Sequence, residues 1–108
     1  MKLWIDDERP APEGYVWCRS VNQAIHAIYV AEMPFFNHDD VADVDIISII
    51  DCDHDLGDYA YDGGDGVKLL DWLEETGRNY PIRIHSQNPV GVENMRRIIE
   101  RNGWKEIR

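Results

Sequence analysis

Residues Asp45-Ile46-Ile47-Ser48-Ile49-Ile50-Asp51-Cys52-Asp53-His54-Asp55 decide how this chain folds. An isoleucine run of this kind has little polar alternation, which suits a central strand of a parallel sheet. Working outward, the pattern predicts further strands over 2–6, 15–19, 81–86 and 104–107, with the third strand over 45–52. Helical spacing appears between them. The first helix opens at Ser20 with Gln23 at capping-box distance and buries Val21, Ala24, Ile25, Ile28 and Tyr29. A second starts near Asp65, turns Val67, Leu70 and Leu73 inward and closes at Gly77. The third takes Asn88 as cap and Pro89 as first residue, carries Val92, Met95, Ile98 and Ile99, and ends at Gly103. The order is β β α β α β α β, which implies right-handed crossovers and a mostly parallel sheet.

One irregularity shapes the rest. Only residues 7–14 join the first two strands, too few for a helical crossover, and the chain closes on the fifth strand. The expected architecture is α/β: a flavodoxin-like, five-stranded parallel sheet of order 2-1-3-4-5 that lacks the helices after strands one and five. One sheet face is then bare. Lys2 and Trp4 alternate with Leu3 and Ile5, and Arg83 and His85 with Ile82 and Ile84, as such a sheet requires. A face carrying Lys2, Trp4, Trp17 and Arg83 calls for cover. A homodimer or a partner protein is the expectation, and residues 32–44 folding back as a lid are the alternative.

With 108 residues, the chain is expected to form a single minimal domain over 1–108. A formal net charge of −10 argues against duplex DNA and anionic membrane as partners. No apolar run approaches the ~20 residues of a bilayer span, and the amino end is acidic where a secretion signal is apolar, so a cytoplasmic location is expected. Cys18 and Cys52 each lie in an apolar run and read as buried thiols.

The strand ends carry the chemistry. Strand one runs into Asp6-Asp7-Glu8-Arg9, strand three into Asp51-Cys52-Asp53-His54-Asp55, and strand four into His85-Ser86-Gln87-Asn88 at the start of a helix. Converging carboxylates repel unless a proton or cation intervenes, and oxygen ligands favour Mg²⁺, Mn²⁺ or Ca²⁺. The helix amino end, with Ser86 and Asn88 beside it, makes an anion pocket that Gln87 and Arg9 extend. Cation and pocket together read as recognition of a small phosphorylated ligand, with His85 placed to move a proton. Asp51-x-Asp53-x-Asp55 is also the opening of a calcium loop, but Leu56 and Asp62 stand where that loop needs Gly and Glu. His26 and His38 read as structural or solvated, Trp72 as packing, and Arg96, Arg97 and Arg101 as a solvated helix face.

With these residues placed, the chain resembles the receiver-domain superfamily, and within it the cyclic-phosphate processing receiver domain. The resemblance rests on residues 3–12, Asp53-His54-Asp55-Leu56-Gly57, Gly64-Asp65-Gly66, and His85-Ser86-Gln87-Asn88-Pro89-Val90-Gly91 with Asn94-Met95. It implies Mg²⁺ (or Mn²⁺) on Asp6, Asp7 and Asp53, Ser86 against the phosphoryl group, and His85 as the catalytic residue, with Asp53 and Ser86 acting beside it. It further implies metal-dependent processing, as a cyclic phosphodiesterase or phosphohydrolase, of a cyclic phosphate on a nucleotide or RNA end. The competing class is a non-catalytic receiver-like module that dimerises or docks on a partner. No lysine follows strand five in the receiver manner, and Asp51 lies two residues from Asp53 on the same side of an extended strand, so either carboxylate satisfies the pattern.

Overall fold

The computed structural model describes residues 1–33 and 47–108; the proposed lid over 32–44 and His38 fall almost wholly outside these. Strands β1 (Lys2–Ile5), β2 (Tyr15–Cys18), β3 (Ile49–Cys52) and β4 (Ile82–Ile84) pair in parallel in the order β2-β1-β3-β4. Helices α1 (Val21–Glu32), α2 (Gly66–Glu75) and α3 (Pro89–Asn102) supply the second layer, and a 3₁₀ turn, Gly57–Tyr61, interrupts the loop after β3.

The predicted helix ends form with two changes. Ser20 accepts from the Gln23 amide, but the Gln23 side chain reaches back one residue further, to the Arg19 amide at 2.8 Å. Asp65 precedes α2 without capping it, because its carboxylate accepts from the Leu56 amide instead. Asn88 caps α3 through the Gly91 amide, and Gly103 ends that helix at φ 66°, returning the Trp104 amide to the Ile99 carbonyl.

Leu3, Ile5, Ile50, Cys52 and Ile82 of the sheet meet Ala24, Ile28, Leu69, Leu70, Leu73, Met95 and Ile99 of the helices in one core. Each large aliphatic side chain buried there contributes roughly 1.5–3 kcal/mol. Cys18 and Cys52 are buried free thiols, as expected; burial pushes the Cys18 thiol up to about 11.

The fifth strand is the departure. Among the described residues the sheet has four strands, and segment 104–107 adds one parallel bridge, Ile82 with Glu106. With β4 only three residues long, there is little ladder to extend. Two backbone bonds hold the segment there, from the Ile82 amide to the Lys105 carbonyl at 3.0 Å and from the Ile107 amide to the Ile82 carbonyl at 2.8 Å, and Arg96 of α3 grips the Glu106 carboxylate from Nε and Nη2 at 2.7–3.0 Å. No helix among the described residues is long and apolar enough to cross a membrane.

Candidate functional site

Where β1 runs out, Asp6 turns the chain. Its Oδ1 accepts from the Glu8 and Arg9 amides at 2.9 and 2.8 Å, leaving Oδ2 to face His85 Nε2 at 3.0 Å. Only 1% of Asp6 is exposed. Burial alone would push its carboxyl up, but the two amides and His85 outweigh it and the net shift is downward. Asp53 follows β3 in the neighbouring position, its amide donating to the Ile5 carbonyl at 2.9 Å. Its carboxyl is pushed up, first by burial and then by the charge of Asp6, against the pull of Ser86, the His54 amide and His85. The two carboxylates therefore oppose each other as ions, the condition a cation relieves.

The α3 end supplies the anion side, with a difference from expectation. Pro89 has no N–H, the Gly91 amide goes to the Asn88 side chain and the Asn88 amide to Ser86 Oγ at 3.2 Å. The helix end satisfies much of itself, so side chains carry more of the binding than open amides do. Asn88 also donates to Asp55 at 3.1 and 3.3 Å.

Asp6, Asp7, Arg9, Asp53, Ser86, Gln87 and Asn88 all line one open pocket of about 350 Å³, together with Glu8, Asp55 and Gly57. Gly57, at φ 51°, is what lets the wall close in: a Cβ there would lie 2.5 Å from Asp7 Oδ2. His85 stands behind the lining with its side chain 7% exposed. Asp6, Asp53 and His85 each bring one ligand atom within 4.8 Å of the others. Asp7 is outside that trio and offers its carboxylate from the pocket wall. A divalent cation suits this donor set, because two close carboxylates, one nearly fully buried, supply hard oxygen ligands whose mutual repulsion it would cancel.

A family model described as the cyclic-phosphate processing receiver domain matches residues 1–101. The chain belongs to that family. Comparison with curated proteins and with solved structures gives no match. In this cyclic-phosphate processing receiver domain the open question between Asp51 and Asp53 takes a geometric form. Asp53 lines the pocket, whereas Asp51 lies in β3 on the sheet face opposite the described helices, with its carboxylate on His85 Nδ1 at 2.6 Å and on Arg83 Nη1 at 3.0 Å. Trp4, read beforehand as part of a bare surface, stacks on the His85 ring at 3.8 Å between centroids and 8° between planes. Cross-strand register brings these groups together, and a single strand's pattern does not reveal it. Asp55 and Gly57 were legible only as motif neighbours of Asp53.

Proposed function

We propose that this domain opens a cyclic phosphate on a nucleotide or an RNA end. The observation that supports this reading best is a histidine gripped on three sides and presenting Nε2 beside Asp6, next to a pocket where carboxylates meet Ser86, Gln87, Asn88 and Arg9. Asp6, Asp7 and Asp53 would hold Mg²⁺ or Mn²⁺, which when bound polarises a phosphate oxygen and offsets developing negative charge.

The chain's own residues do the rest. Ser86, Gln87 and Asn88 orient the phosphate, and the half-exposed Arg9 guanidinium neutralises it from the rim. His85 exchanges a proton at Nε2. In hydrolysis the water oxygen bonds to phosphorus, one ring P–O bond breaks and the departing ribose oxygen takes a proton. Asp53 is the carboxylate nearest this event and the alternative nucleophile in a phosphoryl-transfer route. Such a site works on an acidic protein because cation and Arg9 make a local positive spot within a net charge of −10.

A panel of 2′,3′-cyclic nucleotides and cyclic dinucleotides, incubated with and without Mg²⁺ or Mn²⁺, tests this. Metal-dependent ring opening that disappears in His85→Ala is the expected result. Silence on every cyclic phosphate with metal present rejects it in favour of a binding module. That second reading is favoured by Trp17, still 38% exposed on the sheet face that none of the described helices covers.

A further inference from the structure

Asp51 is 2% exposed in the middle of β3, and the register sets Trp4 on one side of it and Arg83 on the other. A carboxylate buried there is costly unless each oxygen has a donor. Both do: Arg83 Nη1 donates to Oδ2 at 3.0 Å, and His85 Nδ1 meets Oδ1 at 2.6 Å. A carboxylate oxygen accepts, so the ring donates to Asp51 from Nδ1. Trp4 holds the plane of the same ring and is itself anchored by its indole N–H on the Arg9 carbonyl at 2.8 Å. Position, plane and the Nδ1 contact of His85 are thereby set from the open side of the sheet, while Nε2 faces Asp6 Oδ2 at 3.0 Å on the pocket side.

Resting on the reaction proposed above, we propose that Asp51 is the positioning residue of His85, and that Arg83 in turn fixes which oxygen of Asp51 faces the ring. Asp51 touches neither substrate nor pocket. Its carboxylate holds the Nδ1 side of the ring and so fixes how Nε2 is presented to the site. Arg83 makes the assignment directional. In Asp51→Asn, Arg83 still donates and therefore claims the amide oxygen, which turns the amide NH₂ towards Nδ1. Nδ1 must then accept, which leaves the ring's proton on Nε2, facing Asp6 Oδ2.

Long-range ¹H–¹⁵N correlation of the imidazole nitrogens in uniformly labelled full-length protein reads this without any substrate, with His85 assigned by the peaks missing in His85→Ala. The wild type should carry a proton on Nδ1, Asp51→Asn should lose it, and Asp51→Asn with Arg83→Ala should regain it, because the freed amide can present its oxygen again. A bare Nδ1 in the wild type, or an unmoved proton in Asp51→Asn, overturns the proposal; so does failure of the second substitution to restore it. With a cyclic phosphate that is turned over, Asp51→Asn should lower kcat by about 10²-fold or more with KM unchanged, the scale of a positioned acid or base. A lower affinity at full kcat overturns it. Absence of turnover in every variant and the wild type rejects the reaction, while the position of the proton still decides the role of Asp51.

Discussion

Replacing Gly66 by alanine tests how tightly the site is tied to the helix layer. Gly66 is the first residue of α2, and its amide donates to the His54 carbonyl at 2.7 Å, drawing the helix against the exit of β3. A Cβ at Gly66 would stand 2.0 Å from the Asp53 carbonyl oxygen and 3.0 Å from Cys52 Sγ. Relief needs a shift of roughly 1 Å to restore van der Waals distance, and the obstacle is backbone, which has no rotamer to change. Overpacking of this kind costs about 1–3 kcal/mol, and the better helix propensity of alanine returns less than about 1 kcal/mol. At an unfolding entropy of ~2.1 cal/mol/K per residue, a net loss of about 1–2 kcal/mol lowers Tm by roughly 4–9 °C. The shift falls on Asp53, and metal ligands tolerate only a few tenths of an ångström, so the stabilisation expected of Mn²⁺ in the wild type, if Asp53 holds it as proposed, should shrink or vanish. Thermal unfolding followed by circular dichroism, with and without Mn²⁺, reads both effects. Gly77→Ala is the control: no atom lies within 4 Å of its Cβ, but φ is +69°, so it should lose about 1–2 kcal/mol through its backbone and keep the full Mn²⁺ response. A Gly66→Ala protein that melts within about 1 °C of the wild type and gains as much from Mn²⁺ would refute the reasoning.

Asp53→Asn should stabilise the metal-free chain at neutral pH, since burial and the Asp6 charge raise this carboxyl in the folded state. A raised carboxyl contributes stability that is lost as pH climbs from its unfolded value of 3.8 through the folded one, so urea midpoints should separate at pH 7 and converge near pH 4. Arg78→Ala should cost about 1–2 kcal/mol in urea unfolding, because the guanidinium bonds Glu32 through Nε and Nη2 while lying over Trp72 at 4.4 Å and Tyr29 at 5.1 Å; Arg78→Lys, without the planar fork, should recover little. We also propose a homodimer through the sheet face opposite the described helices: light scattering at micromolar concentration should give about twice 12.6 kDa, falling in Tyr15→Asp, whereas a mass near 12.6 kDa at every concentration rejects it.

The fold was legible where one signal acted alone. Ser20, Asn88 and Gly103 announced helix ends, and the alternation of Leu3 and Ile5 with Lys2 and Trp4 announced a sheet covered on one face. Segment 104–107 has strand-like residues, but the Arg96 clamp on Glu106 comes from another element, and strand propensity does not register it. The pocket was legible because a parallel sheet gathers its strand ends, so Asp6, Asp53 and Ser86 followed from topology. The layer behind His85 was not. Asp51, Arg83 and Trp4 lie on three strands, and only the register makes them neighbours. Trp4 in particular looked like surface to be covered by a partner, yet His85 already covers one side of it.

All pairings in the sheet being parallel also governs the order in which the chain can assemble. Joining Lys2 to Tyr15 closes a loop of about 13 residues, whereas joining Lys2 to Ile49 closes about 47, an added closure cost of roughly 1 kcal/mol in a flexible-chain estimate. The β1–β2 pair can thus form early and cheaply, but it brings together none of the three groups that face one another at the site. Asp6, Asp53 and His85 follow β1, β3 and β4, so they converge only after both distant pairings are closed. A ligand spanning that trio therefore recognises the finished fold alone, and its binding is a direct measure of how much of the chain has completed folding.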